Sequence, residues 1–246
     1  MIDKQEGIIH FYDEFFKNPV NVQFNERILF CYKQLIKGGL TSRSTVLELG
    51  CGGGALTALL GRKVRTGNVE AVDISPYAIE FARKQVTNKI VHFHVQDIVN
   101  YSPGSGTFDF ITLFDVLEHV SIQDHRQLFQ NIAQWMSDNT LLLINIPNPR
   151  YLEYDRHHQP EALQIIDQPL HSDYMARLIA ESDMFVHSLE TMSIWVIDDY
   201  QFFIVKKNQP FLETKLSVIR NFRQKTVAWL QRKWNNWYYA YPKRVR

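Results

Sequence analysis

Short, almost uninterrupted apolar runs alternate along this chain with segments of helical periodicity. TVLEL (45–49), NVEAV (68–72), IVHFHV (90–95), FDFITLF (108–114) and TLLLINI (140–146) each have the length and composition of a buried strand. Helical patterns stand between several of them. ALTALLGRK follows a run of glycines, and a second helix starts at Pro76 behind a Ser75 cap. In SIQDHRQLFQNIAQWM (121–136), Ile122, Leu128, Phe129, Ile132 and Trp135 or Met136 recur at helical spacing. Strands apolar on both faces, alternating with helices, predict a parallel sheet covered on both sides. The pattern then changes. MFVHSLETMSIWV (184–196) and YQFFIVKK (200–207) are separated only by Ile197, Asp198 and Asp199, which permits a hairpin and leaves no room for a helical crossover. The expected fold is α/β: a doubly wound, mostly parallel seven-stranded sheet with an antiparallel last strand.

That pattern occupies residues 41–207. Residues 1–40 are aromatic-rich, helical from about Asn25, and read as either a helical lid or an ordinary packing segment. Residues 208–246 form a third region, set apart by charge. From Lys206 to Arg246 there are eleven Lys or Arg against one acid, Glu213, whereas residues 1–205 carry 16 basic and 25 acidic side chains. Leu212, Leu216, Ile219, Val227, Leu230, Trp234 and Trp237 recur every three to four residues there. Arg220, Arg223, Lys225, Arg232 and Lys233 fill much of the remainder. A basic amphipathic helix ending in Trp and Tyr fits an anionic membrane surface. A helix docked on the body or on a second subunit is the next reading, and an RNA-binding arm the third. No apolar stretch reaches the roughly 18–20 residues needed to span a bilayer. Two cysteines, Cys31 and Cys51, make a disulfide framework improbable. The expectation is a cytoplasmic body, free or peripheral on the inner face of the membrane.

The first candidate for chemistry is the glycine turn after the first strand, Glu48-Leu49-Gly50-Cys51-Gly52-Gly53-Gly54-Ala55. Glycines at a strand-to-helix step allow a sharp turn and the close approach of a ligand to main-chain N–H groups. Gly50-x-Gly52-x-x-Ala55 satisfies a dinucleotide fingerprint, and Asp73 stands where a ribose-binding acid belongs. This keeps an NAD-dependent oxidoreductase in view. Against it, Glu48 precedes the turn, no basic residue faces the helix start, and a further acid, Asp97, ends the third strand. An acidic ring suits a cofactor bearing a ribose, an adenine, a sulfonium and an amine better than a diphosphate.

ELGCGGG, VDIS, VQDI and FDFITLFDVLEHV, in this order, resemble the class I S-adenosylmethionine-dependent methyltransferases over roughly residues 40–205. The resemblance implies that S-adenosyl-L-methionine is the cofactor. It also implies roles: Gly50 and Gly52 beside the methionine part, Asp73 on the ribose hydroxyls, Asp97 at the adenine amino group, and Ile74 and Ile98 around the adenine. Glu48 and Phe114 belong to the same cofactor wall.

The second candidate is LFDVLEHV (113–120), at the carboxyl edge of the sheet, where open α/β folds place ligands. Helical spacing puts Asp115, Glu118 and His119 on one face of a turn, with Glu118 and His119 each beside Asp115 rather than beside each other. One reading makes Asp115 a cofactor contact, Glu118 solvated and His119 a packing residue. The other makes the three ligands of a divalent cation, Mg2+ or Mn2+, which would acidify an acceptor hydroxyl. An acid-x-x-Glu-His pattern at this place resembles quinone-pathway O-methyltransferases and the enzymes that methylate the terminal ribose of small RNAs, with Asp115 where those carry Glu. The fourth ligand, or a general base, is expected in the polar segment after the fifth strand, from His157, His158 or His171. His171 is preferred, then His119, since an imidazole near its reference pKa of about 6.5 can take a hydroxyl proton. The expected function is O-methylation of a sugar or other hydroxyl on a glycan or lipid-linked acceptor, with RNA ribose 2'-O-methylation as the rival.

Overall fold

The computed structural model describes residues 4–17, 24–104, 106–211 and 213, together with 226, 227, 229–231, 233 and 234. Two helices open the chain, α1 (Lys4–Lys17) and α2 (Glu26–Lys37). Asn25 caps α2 by accepting the Ile28 N–H at 3.0 Å. There follow β1 (Thr45–Leu49), α3 (Ala55–Lys63), β2 (Asn68–Asp73), α4 (Pro76–Gln85), β3 (Val91–Val95) and β4 (Phe108–Phe114). Next come α5 (Ile122–Trp135), β5 (Met136–Pro147), α6 (Pro149–His158), α7 (Ser172–Glu181), β6 (Met184–Met192) and β7 (Tyr200–Lys207). The sheet order is β3-β2-β1-β4-β5-β7-β6, with β7 antiparallel to both its neighbours. This is the expected seven-stranded sheet with a reversed last strand.

Alternation along each strand feeds two apolar layers. On β1, Val46 packs with Leu35, Leu56, Leu60 and Phe202 toward α2 and α3. Leu47 and Leu49 pack on the other face with Leu128, Phe129, Ile132 and Ile179 from α5 and α7. Ser75 accepts the Ala78 N–H at 3.0 Å ahead of Pro76, the predicted cap of α4.

Two boundaries differ from the periodicity. α5 stops at Trp135 and β5 begins at Met136, before the apolar run, because Thr140 accepts the Ser137 N–H at 2.8 Å and a register shift between Phe108 and Phe110 absorbs the extra residues. β6 ends at Met192 rather than continuing to Val196. The fully buried Asp199 carboxylate accepts the N–H groups of Ile194 (2.8 Å), Trp195 (2.9 Å) and Val196 (3.1 Å) and curls the chain into a loop.

The chain divides into Met1–Asn208 and Gln209–Arg246. In the second unit, residues 226, 227, 229–231, 233 and 234 are helical, and Lys233 Nζ lies 4.6 Å from the Trp229 ring centre. Leu212, Leu216, Ile219, Trp237, Arg220, Arg223, Lys225 and Arg232, which carried most of the amphipathic pattern, lie outside the described residues. Among the described residues no helix is long and apolar enough to cross a membrane.

Candidate functional site

The carboxyl ends of β1, β2 and β4 open into a cavity of about 390 Å³. Its floor is the glycine turn. Gly50 (φ +76°) and Gly52 (φ +50°) both occupy the left-handed region that favours glycine. A Cβ on Gly50 would stand 2.1 Å from Val116 Cγ2, and one on Gly52 would stand 2.9 Å from the Phe16 ring. The turn therefore has no room for a side chain at Gly50 or Gly52.

Asp73, at the end of β2, is 8% exposed; it accepts the Gly52 N–H at 2.7 Å and the Ser75 N–H at 2.9 Å. Burial pushes its pKa up, and these N–H groups counter the shift. Ile74, Asp97 and Ile98 line the same cavity. Asp97 also accepts the Val99 N–H at 2.9 Å. Glu48 and Phe114 do not reach it. They line a smaller space of about 110 Å³ on the other side of Gly50. There Glu48 accepts the Thr57 hydroxyl at 2.7 Å, and burial pushes its pKa up to about 8 despite that bond.

The roof comes from α1, through Ile8, Tyr12, Phe15 and Phe16. Asp13 fastens this helix by accepting the Ser75 hydroxyl and, at 3.2 Å, the Tyr77 N–H. The Tyr12 hydroxyl is buried with no hydrogen-bond partner among the described residues. Aromatic density alone marked this segment in the sequence; its register over the glycine turn had no sequence signal.

The acidic–histidine cluster departs from the helical-face expectation. Asp115 sits in the left-handed region (φ +56°), and only Leu117–His119 forms a short 3₁₀ turn, so the three side chains do not share a helical face. Asp115 turns toward α2. Its Oδ2 is 3.0 Å from Arg27 Nε, and Asn145 Nδ2 donates to it at 3.3 Å. Arg27 in turn donates to the Tyr200 hydroxyl at 3.0 Å and lies 5.4 Å from the Trp195 ring centre. Burial raises the Asp115 pKa, and the guanidinium opposes it.

Glu118 is 1% exposed, which overturns its reading as a solvated residue, and its Oε1 is 3.9 Å from His119 Nε2. His119 Nδ1 donates to the Ile166 carbonyl at 2.5 Å and lies 3.1 Å from Asp167 Oδ1. Burial lowers the His119 pKa, but the Glu118 and Asp167 carboxylates outweigh it and bring it to about 9. Burial raises Glu118 to about 8. Asp167 and Glu118 thus favour the charged imidazole over the neutral base that the reference pKa predicts, while burial favours the neutral Glu118 carboxyl. Arg27 and Asp167, which decide these charges, carried no sequence signal.

His171 is not part of this cluster. It precedes α7, is exposed, pairs with Glu153 at 3.1 Å and borders a separate depression. His157 and His158 are exposed at the end of α6. Among the described residues no group of three or more His, Cys, Asp or Glu side chains is placed to hold a metal ion. The expected set of Asp115, Glu118, His119 and His171 is thus not assembled. Asp115 is drawn to Arg27, and His171 pairs with Glu153 beside another depression.

A family model described as a methyltransferase domain matches residues 21–198. Mitochondrial ubiquinone biosynthesis O-methyltransferase of Schizosaccharomyces pombe is 35% identical over 109 residues, 43% of this chain and 39% of that protein. (S)-coclaurine N-methyltransferase of Thalictrum flavum subsp. glaucum is 30% identical over 119 residues, 47% of this chain and 31% of that protein. The chain thus spans well under half the length of these two relatives. The crystal structure of magnesium protoporphyrin IX methyltransferase from Synechocystis PCC 6803, with bound S-adenosylhomocysteine, superposes with a TM-score of 0.65 at 14% identity, covering 84% of this chain and 100% of that one. The match decides between the two readings of the glycine turn. Matched over most of its length, the chain belongs to the methyltransferase domain family and has the fold of the class I S-adenosylmethionine-dependent methyltransferases.

Proposed function

We propose that the chain transfers the methyl group of S-adenosyl-L-methionine to a hydroxyl of a sugar or related group on a glycan or lipid-linked acceptor. The observation that carries the cofactor reading is the cavity over Gly50 and Gly52. A buried carboxylate with spare lone pairs, Asp73, stands in its wall, and Ile74 and Ile98 supply apolar faces beside it. These residues fit the cofactor: Asp73 would hold the ribose hydroxyls, Asp97 the adenine amino group, and the two isoleucines the ring. The Tyr12 hydroxyl in the roof, without a partner among the described residues, would meet a polar group of a bound ligand.

When bound, S-adenosylmethionine supplies an electrophilic methyl on a sulfonium. The chain supplies position and charge. Most of the rate then comes from holding the acceptor oxygen in line with that methyl. Asp115 lines both spaces and would accept the hydrogen bond of the incoming hydroxyl. His119 would take the proton once its own has left, so the rate should rise toward about pH 9. The hydroxyl acceptor is supported by this proton-accepting cluster and by the O-methyltransferase relative. The excess of Lys and Arg in segment 212–246, which would suit an anionic surface, supports a lipid-linked one. Pelleting with anionic but not neutral vesicles would test that placement.

The deciding experiment is calorimetry with S-adenosylmethionine and S-adenosylhomocysteine, followed by a labelled methyl-transfer screen against glycan, quinone, amine and RNA pools. Binding of NAD in place of the sulfonium cofactor would defeat the cofactor reading. Label appearing only in amines or only in RNA would defeat the acceptor.

A further inference from the structure

A second depression opens at the same edge of the sheet, past the end of β5, and neither the glycine turn nor the acidic–histidine cluster borders it. It encloses about 590 Å³, within the range of small-molecule sites. Its walls are the first turns of α6 and α7, the loop before β7, and facing residues of β6 and β7. The shape is fixed from below. Asn148 donates Nδ2 to the Asp198 carbonyl at 2.7 Å and its Oδ1 accepts the Arg150 N–H at 3.1 Å, while its own N–H donates to the Asp199 carbonyl at 2.8 Å. The buried Asp199 carboxylate holds the rest of that loop.

The lining is a mixture. Arg150 brings a cation, Asp198 a carboxylate, Ser172 and Thr191 hydroxyls, and Gln201 an amide. Thr191 and Gln201 face each other across the β6–β7 pairing. The Gln201 Oε1 atom is buried and has no hydrogen-bond partner among the described residues. Such an acceptor is costly until a donor reaches it. An apolar ligand would leave it unsatisfied. An anion would meet both it and Asp198, and a simple cation would meet Arg150. A polyol satisfies every group, because each hydroxyl both donates and accepts. Ile197, 84% exposed, stands at the rim and offers an apolar surface to the C–H face of a ring.

We propose that this depression is a subsite for a sugar unit of the acceptor, held by Gln201, Thr191, Ser172, Asp198 and Arg150. The proposal rests on the glycan reading above. The test uses the full chain and saturation-transfer NMR with the methyl glycosides of glucose, galactose, mannose and N-acetylglucosamine, with inorganic phosphate as a competitor. At least one glycoside should receive saturation and should not be displaced by phosphate. Gln201→Ala and the exposed Arg150→Ala should each weaken it about tenfold, the effect of losing one good hydrogen bond. Both variants should bind S-adenosylhomocysteine as the parent does, which also shows that they fold.

No saturation of any glycoside, full displacement by phosphate, or binding that survives both substitutions would overturn the subsite. Failure of the parent chain to bind S-adenosylhomocysteine would instead defeat the methyltransferase reading, whatever the sugars do.

Discussion

The two walls of the cavity over the glycine turn are held in place by different forces. The wall after β1, β2 and β3 relies on backbone geometry. Glycines turn the chain, and Asp73 and Asp97 are fixed by N–H groups two residues on or from the neighbouring turn. The wall after β4 relies on buried charge. Asp115 is matched by Arg27 from α2, and His119 by Asp167 from the polar segment beyond α6. A wall of backbone contacts is set by local geometry. A wall of buried charges exists only while each charge has its partner. Substitution can separate the two.

The largest effect should come from Gly50→Ala, because the new methyl would meet Val116 at 2.1 Å in a backbone region unfavourable to alanine. Stability should fall by about 3 kcal/mol or more, read by denaturant unfolding, and cofactor affinity should fall with it. A fully stable variant would show that Val116 moves aside freely and that the turn is not stiff.

Next in size is Arg27→Met. Leaving the buried Asp115 unpaired should cost about 2–4 kcal/mol at neutral pH, with less loss in acid as Asp115 takes a proton. The double variant Arg27→Met/Asp115→Asn should recover most of the loss, and equal instability of single and double variants would exclude charge pairing as the cause.

Asp73→Asn tests the other wall through affinity. Binding of S-adenosylhomocysteine should weaken roughly 10- to 100-fold, and stability should fall by about 1–3 kcal/mol because the amide nitrogen cannot accept one of the two N–H groups.

A smaller, pH-dependent difference should follow His119→Gln. The folded pKa of His119 is about 9 against about 6.5 unfolded, so its contribution to stability is full below about pH 6.5 and lost as pH rises through about 9. The parent and variant stability curves should converge over that window, and parallel curves would mean that His119 is not held as the imidazolium. The smallest effect belongs to His171→Ala, which should leave S-adenosylhomocysteine affinity unchanged because His171 lies outside the cavity.

The sequence by itself determined the sheet, the reversed last strand and the place of the glycine turn beside Asp73 and Asp97, though not that Glu48 and Phe114 line a separate space. Apolar runs of strand length can satisfy their backbone only in a covered sheet, three residues between 184–196 and 200–207 admit only a hairpin, and the partners of the glycine turn, Asp73 and Asp97 lie within a few residues or on the neighbouring strand. LFDVLEHV could be placed at the active edge on the same grounds, but not understood. Its helical spacing was overridden by the positive φ at Asp115, and its charges were set by Arg27 and Asp167, distant in the chain and unmarked by any motif. His171 fails for the same reason: proximity along a polar segment says nothing about which side of that segment faces the cavity. Only the tertiary structure decided which charges are paired, which are raised and which are far away, because pairing and desolvation are properties of space rather than of spacing.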